Sequence, residues 1–139
     1  MSFLLDTCVL SELTRPKPHP NVIRWFEAQD AAALFVSVLT IGEIEKGIAA
    51  LPTGRKKVAL SGWLATLRST YGDRVLPIDA AIAAIWGRSA ARIEREGGRL
   101  AIVDGLIAAT AVHHGYTVVT RNVGDFVKTG VALLNAWQA

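Results

Sequence analysis

Short apolar runs alternate along the chain with longer segments that have the periodicity of helices. The apolar runs occupy residues 2–5, 33–38, 74–78 and 117–120, and residues 131–133 form a fifth candidate. Runs that are apolar throughout are typical of strands buried on both faces, as in parallel sheets covered by helices. The alternation therefore predicts an α/β fold of three layers, in which a parallel sheet lies between helices.

The segments between these runs predict the helices. Residues 7–13, 21–29, 55–71 and 103–114 are helical candidates. Thr40 is the predicted N-cap of a further helix, with Glu43 at capping-box spacing, and Asp79 is the predicted N-cap of a long one. The chain shows no repeat and no linker, so we expect one domain over residues 1–139.

Composition limits the class of protein. Apolar residues make up 51% of the chain and charged residues 19%, which excludes intrinsic disorder, and a single cysteine excludes a disulfide framework. The longest stretches without a charged residue, 31–42 and 105–120, are shorter than the ~18 residues of a membrane-spanning helix. The N-terminus lacks the basic region of a signal peptide. We therefore expect a cytoplasmic protein without a membrane partner.

Four carboxylates follow or flank the predicted strands. Asp6 comes directly after the first strand, Glu43 is in the first turn of the helix after the second, and Asp104 opens the helix before the fourth strand, which Asp125 follows. Ligands bind at the carboxyl ends of strands in open parallel sheets, so these side chains are expected at one edge. Clustered carboxylates repel unless a cation neutralises them, and oxygen ligands favour Mg²⁺ or Mn²⁺.

Each carboxylate also has a structural interpretation, and the pattern alone leaves both open. Asp6 and Asp104 are suitable helix caps, Glu43 suits a capping box, and Asp125 suits a turn. Periodicity does not prefer Glu43 to Glu45, because both flank the apolar face of the helix.

Other chemistries find less support. Phosphate-binding and dinucleotide-binding glycine loops are absent, and Cys8 has no C-x-x-C partner, so it is predicted to be packed and unreactive. His113 and His114 lack the spacing of zinc ligands. An aspartyl-phosphate phosphatase would need a second acid where Cys8 stands. A phosphoacceptor receiver domain, using Asp79 after the third strand, remains as a rival.

Four segments carry a family resemblance: residues 4–13 (LLDTCVLSEL), 37–48 (SVLTIGEIEKGI), 104–111 (DGLIAATA) and 120–126 (TRNVGDF). In this order they resemble the motifs of the PIN-domain ribonucleases, and within them the VapC-type toxins of type II toxin–antitoxin pairs. The resemblance spans essentially the whole chain. It departs at Cys8, where many relatives have Asn or Ser. We therefore expect this position to contribute less to the hydrogen bonding around Asp6.

The resemblance implies a sheet of about five parallel strands with the first strand central. It implies that four carboxylates form the catalytic metal site: Asp6, Glu43, Asp104 and Asp125. It also implies three hydrogen-bonding neighbours: Thr7, Thr120 and Asn122. The choice of Glu43 over Glu45 rests on this resemblance alone. The implied activity is that of an endoribonuclease dependent on Mg²⁺ or Mn²⁺, in which a metal-activated water hydrolyses an RNA phosphodiester.

The resemblance also implies partners. These partners are an RNA substrate, a second copy of the chain in a homodimer, and a VapB-type antitoxin that builds a higher assembly. The family suggests a structured tRNA as the RNA. The antitoxin's C-terminal tail would lie in a groove for which Trp25, Phe26 and Trp63 are candidate lining residues. Operator DNA would be bound only through the antitoxin. The rival from another class is a PIN-like scaffold without catalysis.

The charge balance agrees with a nucleic-acid substrate. The chain has 15 Lys and Arg against 12 Asp and Glu, so setting aside the four site carboxylates leaves a surplus of seven positive charges. Four arginines recur at helical spacing: Arg88, Arg92, Arg95 and Arg99. They suit either a track for phosphates or, as we favour, a solvated face with pairs such as Arg92–Glu96.

Overall fold

A parallel sheet of five strands forms the centre of the computed structural model, which describes residues 1–139. The strands are β1 (Phe3–Leu5), β2 (Leu34–Ser37), β3 (Val75–Leu76), β4 (Thr117–Val119) and β5 (Leu133–Leu134). Their order in the sheet is β3-β2-β1-β4-β5, and every neighbouring pair is parallel. The first strand is therefore central, and the predicted three-layer α/β fold is confirmed.

Seven helices flank the sheet. They are α1 (Thr7–Leu13), α2 (Pro20–Glu27), α3 (Val38–Ala49), α4 (Arg55–Tyr71), α5 (Ala80–Arg95), α6 (Ile102–His114) and α7 (Val123–Phe126). Successive strand side chains point to opposite faces, so the neighbours Leu4 and Leu5 enter different apolar clusters. The larger cluster joins the sheet to α1 through α4, and the smaller joins it to α6 and α7. This packing brings the loops after β1, β2 and β4 to one edge.

One predicted helix start is wrong, and the capping alternative left open for Asp104 is excluded. Ser37, not Thr40, caps α3: the Ser37 hydroxyl accepts a hydrogen bond from the Leu39 N–H (3.0 Å), and Thr40 is buried inside the helix. Asp104 does not cap α6, because that helix already begins at Ile102. The cap predicted at Asp79 is confirmed, since its Oδ1 accepts from the Ile82 N–H (2.9 Å).

One predicted groove residue lies in the core: Trp25 is buried, with its ring edge-on to Phe3 at 5.0 Å between centroids. The favoured interpretation of the arginines is confirmed, since Arg92 pairs with Glu96 at 3.7 Å and donates to the Lys128 carbonyl at 3.0 Å. Arg99 lies beyond the end of α5. No helix combines the length and the apolar character needed to cross a membrane.

Candidate active site

Asp6 is a buried carboxylate, and each of its two oxygen atoms accepts a hydrogen bond that orients it. It follows β1 directly and caps α1, with its Oδ1 accepting a hydrogen bond from the Thr7 N–H (2.9 Å). Its Oδ2 accepts from the hydroxyl of Thr120 (2.8 Å), the residue that follows β4. Asp6 is only 7% exposed. Asp6 therefore does cap α1, as the structural interpretation predicts. Its Oδ2 also links the carboxylate to Thr120 at the end of the neighbouring strand β4.

A short hydrogen-bond network around Thr120 and Cys8 keeps the Asp6 carboxylate in this orientation. The Thr120 hydroxyl is fully buried and accepts from the Asn122 N–H (3.0 Å), so the predicted neighbour Asn122 acts through its backbone. Cys8 Sγ lies 3.7 Å from Asp6 Oδ2 and accepts from the Arg121 N–H at 3.5 Å. Burial raises the pKa of the Cys8 thiol, which stays protonated. Cys8 thus supports Asp6 with weak sulfur hydrogen bonds.

Glu43 is connected to this network from the other side of β1. It lies on α3, and its Oε1 accepts a hydrogen bond from the Thr7 hydroxyl (2.7 Å). The Thr7 hydroxyl also lies 3.4 Å from that of Thr40, a buried contact that the sequence analysis missed. Glu45 is exposed and makes no hydrogen bond or ion pair. The structure therefore distinguishes the two glutamates that periodicity could not.

Asp104 is the electrostatic centre of the cluster. It lies in the first turn of α6, half-buried, and its pKa is raised from 3.8 to about 6. Burial is the largest cause, and the negative charges of Asp6, Asp125 and Glu43 follow in that order. Asp125 is exposed on α7. The three other predicted carboxylates thus all act on Asp104 and oppose its ionisation.

The donor set suits a hard divalent cation, which would relieve this repulsion. The four side chains offer only oxygen atoms, the ligands that Mg²⁺ and Mn²⁺ prefer. No three acidic, histidine or cysteine side chains lie close enough to hold one ion together. Mg²⁺ is commonly bound through one or two carboxylates with water completing its shell, so the arrangement fits that mode of binding.

Two cavities beside the site share Trp63. The first, about 260 Å³, is lined by Thr7, Glu43 and Trp63, among others. The second, about 250 Å³, is mostly apolar and is lined by Leu10, Phe26 and Trp63, among others. Phe26 and Trp63 therefore occupy the kind of surface predicted for them.

The receiver-domain alternative is wrong. Asp79 caps α5 after the edge strand β3 and lies near His114, at the C-terminal end of α6. Asp104 lies at the opposite end of that helix, and Asp79 is not among the charges that act on it. The carboxylate cluster therefore excludes the aspartate that a receiver would phosphorylate.

Comparisons with known proteins give one consistent result. Residues 3–131 match the family model described as PIN domain. The chain is 37% identical to toxin FitB of Neisseria gonorrhoeae, over 96% of this chain and 97% of FitB. It is 34% identical to VapC ribonuclease Y4jK of Sinorhizobium fredii, over 97% of each. The crystal structure of FitAcB from Neisseria gonorrhoeae is similar with a TM-score of 0.94, at 36% identity and 99% coverage of both chains.

Proposed function

The chain belongs to the PIN-domain family, and from that premise we propose that it is the toxin of a type II toxin–antitoxin pair, acting as a metal-dependent endoribonuclease. The observation that carries the proposal is the joint action of Asp6, Asp125 and Glu43 on Asp104, in a family with ribonuclease and toxin members. A scaffold without catalysis has no use for four mutually repelling carboxylates at one sheet edge.

The carboxylates would contribute in different ways to a site for the cation, Mg²⁺ or Mn²⁺, whose coordination shell water would complete. When bound, the ion lowers the pKa of a water and offsets the charge of the phosphate. Asp6 offers a carboxylate whose orientation Thr120 and the Thr7 N–H already fix, so little is lost in ordering it. Thr7 orients Glu43 in the same way. Asp104 gains most from the cation, because three negative charges oppose its ionisation.

The proposed partners follow from the surfaces beside the site. The apolar cavity at Phe26 and Trp63, which the cavity at Glu43 adjoins, suits the C-terminal tail of a VapB-type antitoxin. A tail that enters along this path brings its end toward the carboxylates, where an arginine would pair with them. We further propose a homodimer in the cytoplasm, RNA as the substrate, and operator DNA that is contacted by the antitoxin and not by this chain.

Sequencing of RNA ends after expression without the antitoxin tests this function. New 5′ ends at discrete positions are expected for the wild-type chain and not for Asp6→Asn, while Asp73→Asn, an exposed aspartate without partners, serves as the matched control. Identical ends from the wild type and from Asp6→Asn would contradict the proposal. Growth arrest without new ends would favour the scaffold.

A further inference from the structure

A second polar cavity, of about 370 Å³, lies outside the carboxylate cluster. Its charged and aromatic lining comes from the end of α1, the loop before α2, the residue after Thr120 and the C-terminal segment: Glu12, Arg15, Lys17, His19, Arg121 and Trp137. Four of these side chains are basic and one is acidic. The function proposed above assigns no role to this cavity.

The single acid is already compensated by its neighbours. Glu12 is 5% exposed; its Oε2 accepts from the His19 N–H (3.0 Å), and its Oε1 lies 3.3 Å from Arg15 Nη1. Burial alone would raise the pKa of Glu12, but the His19 N–H, Arg15 and Trp137 together outweigh it and hold the pKa below its ordinary value. The carboxylate is a structural anion that anchors the loop, so the charge left for a ligand is positive.

The remaining basic side chains, Lys17, His19 and Arg121, have no anionic partner. The guanidinium of Arg121 lies over the Trp137 ring, 5.5 Å from its centroid, and Trp137 is fixed by its carbonyl, which accepts from Asn21 Nδ2 (2.7 Å). Neither Arg121 nor Lys17 forms an ion pair with a carboxylate. His19 Nδ1 accepts from the Asn21 N–H (3.1 Å), so the hydrogen of the neutral ring is on Nε2, which can donate.

The cavity and the carboxylates share the end of β4. Arg121 directly follows Thr120, whose hydroxyl donates to Asp6, and the Arg121 N–H donates to Cys8 Sγ beside the same carboxylate. A polyanion with one phosphate at Asp6 can therefore place a neighbouring phosphate along this edge. Arginine recognises phosphate through paired donors, and lysine adds a point charge.

We propose that this cavity is a phosphate subsite, which binds a backbone phosphate of the RNA strand adjacent to the one at the carboxylates. The inference rests on the proposed function for the identity of the strand. An acidic peptide would satisfy the same cations, but the position of Arg121 one residue from Thr120 favours the polyanion that the carboxylate site itself acts on.

RNA binding without hydrolysis tests the subsite. Fluorescence anisotropy of a labelled single-stranded RNA, titrated in EDTA at several salt concentrations, gives the slope of log K against log salt. Each phosphate contact of a single strand contributes about 0.7 to this slope. We expect Arg121→Gln and Lys17→Gln each to reduce the slope by about that amount, and Arg121→Lys to retain it. Arg68→Gln, on α4 and outside the cavity, should not change it.

Three outcomes separate the possibilities. Wild-type slopes in both glutamine variants would overturn the subsite, whether or not the protein cleaves RNA. A loss of affinity for a polyglutamate peptide that exceeds the loss for RNA would also overturn it, because the cavity would then bind acidic protein. The expected slopes in a chain that never hydrolyses RNA would support the subsite while defeating the proposed function. The exposed Lys17 side chain forms no hydrogen bond or ion pair, so the Lys17→Gln variant keeps the test valid if Arg121→Gln misfolds.

Discussion

The hydroxyl of Thr7 donates a 2.7 Å hydrogen bond to Oε1 of Glu43, across 36 residues of sequence. This contact joins the first turn of α1, which Asp6 caps, to the helix that follows the neighbouring strand β2. It fixes one of two glutamates on α3 relative to the buried aspartate. The pair therefore defines which side of α3 faces the site.

Glu43 and Glu45 provide matched variants for this assignment. We expect Glu43→Gln to remove Mg²⁺-dependent RNA cleavage, because an amide offers the cation one neutral oxygen in place of a charged carboxylate. Glu45→Gln should retain wild-type activity, since the Glu45 side chain forms no hydrogen bond or ion pair and lacks the bond to Thr7 that orients Glu43. Cleavage rates on a labelled RNA check both. Equal losses in the two variants would mean that the site does not lie on the Thr7 side of α3.

Thr120 is predicted to stabilise the protein and to position Asp6. Thr120→Val removes the donor to Asp6 Oδ2 and the acceptor of the Asn122 N–H in a fully buried position, which should cost about 1–3 kcal/mol of unfolding free energy. Loss of such outer partners typically weakens metal binding by roughly 10–100-fold. Thr120→Ser keeps the hydroxyl and should recover most of both. Urea unfolding and Mg²⁺ titration of activity measure the two effects, and a valine variant that matches wild type in both would contradict the network.

Asp104 is predicted to lower stability in the absence of metal. Its pKa is about 6 in the folded protein against an ordinary value of 3.8, so the unfolded chain gives up its proton at lower pH. The wild type should therefore lose stability as pH rises from about 4 to about 6, with no further loss from this group above that. Asp104→Asn cannot ionise and so does not lose this stability. Its free energy of unfolding at pH 7 should exceed that of the wild type by about 1 kcal/mol, allowing for solvent screening of a partly exposed group.

Melting curves in EDTA at pH 4, 5, 6 and 7 check this prediction, with Asp73→Asn as the control. Mg²⁺ should then stabilise the wild type more than Asp104→Asn, because it relieves the repulsion that the variant lacks. A variant that is less stable than the wild type at pH 7 and gains nothing between pH 4 and 6 would contradict the cluster.

Gly105 is predicted to be required for the contact between α5 and α6 beside Asp104. A Cβ at this position would lie 2.7 Å from Cδ1 of Trp86 and 2.8 Å from Cδ2 of Leu100. Gly105→Ala should destabilise the protein by about 1–3 kcal/mol, since the half-buried indole ring of Trp86, whose Nε1 is buried, would have to shift. Gly62→Ala, within α4 and with open space around it, should instead stabilise by about 0.5–1 kcal/mol. A Gly105→Ala variant that chemical denaturation finds as stable as the wild type, or more stable, would show that the contact is not tight.

Local patterns were sufficient to predict most elements of the fold. The periodicity of residues 55–71 and the strand-to-helix step at Asp6 are encoded within a few residues, so α4 and α1 have the predicted bounds. The start of α3 was wrong because Ser37 and Thr40 have equal capping chemistry. Ser37 is the last residue of β2, and it pairs in the sheet with Leu76, which lies 39 residues away in the sequence. The four-residue helix α7 is too short to show a period.

The grouping of the four carboxylates could be predicted from the sequence. The hydrogen bonds around them could not. Asp6 lies at the end of a strand that the sequence marks clearly, and parallel topology places it near the end of β4. The contact of Cys8 with Thr120 (3.6 Å) spans 112 residues, and no local pattern encodes it. Trp25 and Phe26 are adjacent in sequence, but one turns into the core and the other lines a cavity, because neighbours on a helix point about 100° apart.

The most direct test of the account is cleavage of a labelled RNA by the purified chain as Mg²⁺ is titrated. We expect no cleavage in EDTA, activity that rises with Mg²⁺ and is also supported by Mn²⁺, and loss of activity in Asp6→Asn and Asp104→Asn while both variants remain folded. Asp73→Asn should cleave like the wild type. Full Mg²⁺-dependent cleavage by either Asp6→Asn or Asp104→Asn, or equal cleavage in EDTA, would contradict the carboxylate cluster as the catalytic site.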